Sequence, residues 1–131
     1  MARSLPRPTD VELQILDVFW QHGPITVRQA HNLIIQTEGR RETSYSTTLK
    51  MIQVLHEKGF LSRGESVRPQ VYTVVVSREE TQKSLLQDLA QRLFGGAMTD
   101  LVQCAVSSPT VSEADLTQMQ SLIRKAKRGE N

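Results

Sequence analysis

Between Tyr45 and Glu57 the run YSTTLKMIQVLHE carries two hydroxyls (Ser46, Thr47), an ammonium (Lys50) and an amide (Gln53) at helical spacing, with Val54 beside them. Groups of this kind hydrogen-bond to base edges and phosphates, and an α-helix has the right width for a major groove. The same residues also describe an ordinary solvated helix face, so their place in the chain has to decide between the two. Six arginines add to the pattern. Arg40 and Arg41 precede the run, Arg63 and Arg68 flank a turn after it, and Arg3 and Arg7 lie near the amino terminus. In such places guanidinium groups contact phosphates, which position a protein on a duplex without specifying sequence. The bland alternative is solubility.

Catalytic and metal chemistry are poorly served. His22, His31 and His56 fall into no ligand spacing, Cys104 is the single cysteine, and no glycine-rich loop follows a strand. His31 and His56 read as partly buried or surface histidines, and Cys104 as a small core residue. No catalytic residue, metal or cofactor is expected.

The elements that must carry these groups are legible from caps and periodicity. Thr9 and Glu12 form a capping box that opens a first helix with Leu13, Leu16, Phe19 and Trp20 on one face, and Gly23-Pro24 ends it. A second helix starts at Thr26, with Gln29 at the box position and Val27, Ala30, Leu33 and Ile34 on its apolar side, and is expected to stop near Glu38-Gly39. The polar GRRET segment leads to a third helix capped by Ser44 or Ser46, whose buried stripe is Leu49, Ile52 and Leu55. Lys58-Gly59 closes it. From Phe60 the period changes: Phe60 to Arg63 and Gln70 to Val76 read as strands joined by a turn. Helix, helix, helix, hairpin is the order of a winged helix-turn-helix.

Beyond the hairpin, Ser77 with Glu80 caps a helix bearing Leu85, Leu86, Leu89, Leu93 and Phe94, and Gly95-Gly96 interrupts it. Helices over Met98–Val106 and from Ser112, with Leu116, Met119, Leu122 and Ile123, complete the chain. Isolated amphipathic helices are marginal in water, so these require a partner, most economically the same segment of a second subunit. Leu85, Leu89, Leu93, Leu101, Leu116 and Ile123 are the expected dimerisation residues. The expected fold class is mainly α with a small β-hairpin. Residues 1–8 form a flexible arm, 9–77 a winged-helix DNA-binding domain, and 78–131 a helical dimerisation region.

The 131 residues suffice for one module with an accessory arm, and 38% hydrophobic against 23% charged residues describes a folded chain with no run long enough to cross a bilayer. No secretory signal follows Met1 and no internal disulfide can form, so the reducing cytoplasm is the expected compartment. Net charge is +2, with nine Lys/Arg against seven Asp/Glu in residues 1–77 and seven of each thereafter. Charge alone therefore does not announce nucleic acid, and a winged helix used only for protein contacts stays open as the competing reading.

The run from Tyr45 to Leu61 resembles the recognition helix and wing entry of the BlaI/MecI/CopY repressors, with a Tyr-x-Thr start, an aliphatic stripe and Lys58-Gly59 at the close. The resemblance extends to Glu12 to Leu16, Trp20, Gly23, Thr26 to Arg28, Val71-Tyr72 and Leu93 to Gly96, and covers roughly residues 9–125. It implies a homodimeric repressor of two-fold symmetric double-stranded DNA operators, released by an inducing signal. In antibiotic-resistance members the half-sites resemble TACA/TGTA. A membrane-embedded sensor protease is the partner that cuts the dimerisation arm there, at an Asn-Phe bond, while the repressor itself does not insert into the membrane. Copper-responsive members carry cysteines near the chain end. This chain has Val102-Gln103-Cys104-Ala105 at the cleavage stretch and one cysteine in all. It also has Thr48 and Val54 where relatives often have valine and arginine, so a relative's operator is not carried over.

Overall fold

The computed structural model describes residues 7–66 and 68–130, and Arg3 lies outside them. Helix α1 (Asp10–His22) is followed by strand β1 (Ile25–Thr26), α2 (Val27–Ile34), α3 (Tyr45–Lys58), β2 (Leu61–Arg63), β3 (Val71–Val74), α4 (Arg78–Phe94), α5 (Met98–Val106) and α6 (Glu113–Lys127). The chain divides into two compact units, residues 1–83 and 84–131.

In the first unit both predicted capping boxes form. Thr9 and Glu12 exchange backbone-to-side-chain hydrogen bonds of 2.8 and 3.1 Å, and Thr26 and Gln29 do the same at 2.9 and 3.1 Å. Helix α1 buries more than the predicted face, because it meets α2, α3 and β3 at once. Ile15, Leu16, Val18 and Phe19 are buried, whereas Leu13 and Trp20 are half-buried. The Trp20 indole N–H donates to the Val76 carbonyl at 2.9 Å and ties α1 to the end of the sheet.

Helix α2 is shorter than predicted. It ends at Ile34 rather than near Glu38, where its apolar period runs out. The chain then tightens into turns, with the Gln36 and Thr37 amides donating to the Leu33 and Ile34 carbonyls.

The hairpin is joined by a third strand that was not predicted. The sheet order is β1-β3-β2, antiparallel throughout, with Ile25 opposite Tyr72, Thr26 opposite Val71, Leu61 opposite Val74 and Arg63 opposite Tyr72. Two residues show no alternation, and their partners lie far along the chain, so periodicity could not reveal β1. The core joins Ile15, Leu16, Phe19, Ala30, Ile34, Ile52, Leu55, Phe60, Leu61 and Tyr72. Each large aliphatic or aromatic side chain so buried stabilises the unit by about 1.5–3 kcal/mol.

Helix α4 begins in the first unit, where Ser77 and Glu80 form the predicted box. It ends in the second with Gly95 and Gly96 at φ 57° and 85°, and the Gly96 amide reaches back to the Ala90 carbonyl at 2.9 Å. That six-residue closure needs the left-handed backbone that glycine adopts without strain. Helix α6 is capped by Ser112, whose backbone and hydroxyl bonds hold the Asp115 carboxyl below its ordinary pKa. Neither α5 nor α6 buries a residue. Among the described residues no helix is long and apolar enough to cross a membrane.

Candidate nucleic-acid interface

Helix α3 is secured at both ends. At its start the Ser44 hydroxyl accepts the Thr47 amide at 3.1 Å and donates to the Thr47 hydroxyl at 2.8 Å. At its close Gly59 takes φ 94° and its amide returns to α3 carbonyls.

Three contacts then fix the helix against its neighbours. The Lys58 ammonium donates to Glu12 Oε2 on α1 at 2.7 Å, with the Glu12 side chain 9% exposed and that of Lys58 31%. The His56 ring nitrogen Nδ1 lies 3.0 Å from the Leu61 carbonyl, and its ring stands edge-on to Tyr72. His31 Nδ1 on α2 meets the Thr48 hydroxyl at 2.8 Å inside the core. Burial works against the charge on Glu12. The Lys58 hydrogen bond, the Thr9 amide and the Lys58 charge outweigh it and hold this carboxyl below its usual value of 4.5.

Three expectations are corrected here. The inward stripe of α3 is Thr48, Ile52 and Leu55, with Leu49 only half-buried. Thr48 is wholly buried, so it cannot touch a groove. His31 is buried as well, beyond the partly buried or surface position expected of it; its polar nitrogen requires the Thr48 hydroxyl that a valine would lack. Cys104, expected in a core, is exposed, because α5 has no core to enter.

Fixing α3 in this way leaves Ser46, Thr47, Lys50 and Gln53 exposed together on one face, with Val54 half-buried at its margin and Glu57 exposed one turn beyond Gln53. The predicted arginines are spread around the unit. Arg40 donates to Gln14 on α1 at 2.7 Å, while Arg41 and Arg7 are exposed. On the wing, Glu65 gathers its neighbours: Arg63 Nε at 2.9 Å and Gln70 at 3.3 Å reach its carboxylate, and Arg68 reaches its carbonyl at 3.2 Å. Glu65 raises the Arg63 pKa further above its ordinary value. At the turn Arg63 is thus held by the carboxylate of Glu65 and Arg68 by the main-chain carbonyl of the same residue.

Sequence reasoning missed Arg28 and Tyr45 as a pair. The Arg28 guanidinium stands 4.0 Å from the centre of the Tyr45 ring, and that ring is edge-on to His31 at 5.5 Å. The contact links α2 to α3, so no spacing within either helix signals it. Among the described residues no group of three His, Cys, Asp or Glu side chains is placed to hold a metal ion.

An exposed polar helix buttressed by two others and followed at once by an antiparallel wing defines a winged helix-turn-helix protein. The chain belongs to the penicillinase repressor family, whose model matches residues 8–125, as the resemblance led one to expect. The family is one of transcriptional repressors, not enzymes. The chain is 21% identical to the penicillinase repressor of Bacillus licheniformis over 95% of each chain. It is 30% identical to the transcriptional regulator BlaI of Mycobacterium tuberculosis, covering 86% of this chain and 80% of that one. In structure it is similar to the DNA-binding domain of the repressor BlaI, solved in solution, with a TM-score of 0.51 and 25% identity. That likeness covers 60% of this chain and 93% of the other.

Proposed function

We propose that the protein is a transcriptional repressor that binds a two-fold symmetric DNA operator as a homodimer and is released by an inducing signal. The observation that carries this reading is the exposed face of α3, on which Ser46, Thr47, Lys50 and Gln53 stand together immediately before the wing. Lys50 and the hydroxyls suit base edges and phosphates; Arg40, Arg41, Arg63 and Arg68 suit the flanking backbone. Glu65 must then yield Arg63 to a phosphate, which costs part of what that contact contributes.

Dimerisation is supported by the second unit, where Leu89 (37%), Leu93 (70%), Leu116 (37%) and Ile123 (52%) are exposed, with Leu85 and Leu101 half-buried. A lone chain would leave this apolar surface in water, and a second copy covers it. Selection of bound sequences from a random duplex pool tests binding, symmetry and half-site spacing together. Recovery of palindromic sites is the expected result, and failure to enrich any sequence would overturn the reading in favour of a protein-contact module.

A further inference from the structure

Resting on the DNA-binding reading above, we infer that Arg28 is a phosphate-gripping residue of the interface and that Tyr45 is the platform that aims it. Nothing in the spacing of α2 explains an arginine there. Arg28 is the second residue of the helix, where a cation opposes the positive end of the helix dipole and costs stability. It is exposed, yet its guanidinium is pinned over the Tyr45 ring, and among the described residues the ion pairs involve other cations. Arg63, Arg78 and Arg92 each face a carboxylate; Arg28 faces an uncharged π-surface. An aromatic face orients a guanidinium without neutralising it, and leaves the N–H edge free for the forked bonds that phosphate accepts.

The platform is itself anchored. Tyr45 is half-buried and packs edge-on to His31, whose Nδ1 is bonded to buried Thr48. A line of contacts therefore runs from the core of the unit to the Arg28 charge, across the first turns of α2 and α3. Those two first turns contain no acidic residue, whereas the first turns of α1, α4, α5 and α6 all do. Neither first turn therefore supplies a carboxylate of its own to offset the Arg28 charge.

The test is the salt dependence of binding to a duplex chosen by selection, followed by fluorescence anisotropy on the full chain. Arg28→Ala should weaken binding at least about tenfold at moderate salt and reduce the slope of log K against log salt by about 1.8, because the homodimer carries the change twice and two fewer phosphates are neutralised. Arg28→Lys should keep the slope. Tyr45→Phe should bind as the parent does, while Tyr45→Leu, checked for folding by its melting curve, should lose affinity several-fold with the slope retained. An Arg28→Ala protein with the parental slope would overturn the inference and make the stack a purely structural contact. A parent protein with no salt-dependent duplex binding would overturn the DNA-binding reading, and this inference with it.

Discussion

Replacing Glu12 by Gln tests how the recognition helix is held. Glu12 Oε1 accepts the Thr9 amide at 2.8 Å and Oε2 accepts the Lys58 ammonium at 2.7 Å. Glutamine can keep the first bond but presents its own N–H₂ to the ammonium, so the α1–α3 link is broken and Lys58 turns to solvent. A hydrogen bond to a charged group is worth about 1.5–3 kcal/mol, and a solvent-exposed ion pair about 0–1. With the acid nearly buried and Lys58 31% exposed, the pair falls between these ranges, and about 1.5 kcal/mol is expected at pH 7.

The pH dependence follows from the lowered Glu12 pKa. A carboxyl whose pKa is lower folded than unfolded contributes its full stability above the unfolded value. That contribution is lost as pH falls through the folded value. Protonated Glu12 also resembles Gln. The difference between the two proteins should therefore begin to shrink as pH falls through the ordinary value of 4.5 and vanish below the lowered folded value. Urea unfolding followed by circular dichroism, at one protein concentration from pH 7 to about 3, measures it. A gap that stays constant across that range, or one already absent at pH 7, would refute the assignment of Glu12 as a charged anchor.

Lys50→Ala should weaken duplex binding by about 1–3 kcal/mol per half-site if Lys50 reads a base, or lower the salt slope of the dimer by about 1.8 if it meets a phosphate in each half-site, with the oligomer unchanged in sedimentation. Unchanged affinity and slope would remove Lys50 from the interface. Thr48→Val preserves shape but strips His31 of its partner, and should cost about 1–3 kcal/mol in urea unfolding; a neutral effect would mean that the histidine finds another partner. Leu89→Asp places a charge on the apolar surface of the second unit and should shift sedimentation towards monomer, weakening operator binding as a consequence. A fully dimeric variant would exclude Leu89 from the shared surface.

What the amino-acid sequence determined by itself is local. The boxes at Thr9, Thr26, Ser77 and Ser112 and the glycine stop at Gly59 depend on groups three or four residues apart, as does the 3.6-residue stripe of α3, and each is written in a short stretch. The order of elements, and with it the winged helix, could be read from those signals. So could the exposure of Ser46, Thr47, Lys50 and Gln53, because the faces of one helix are set by its own period. Tertiary structure decided whatever joins distant segments. Strand β1 exists only because β3 lies beside it. Thr48 carries a buried hydrogen bond because His31 on α2 meets it, and Lys58 is an anchor because Glu12 on α1 meets it. The same holds for Arg28, whose direction comes from a tyrosine on another helix, and for the wing arginines, which Glu65 gathers. Which residues form the exposed face of α3 was local information. How firmly that face is held, and which charges stand ready around it, depends on contacts that only the packed core brings together.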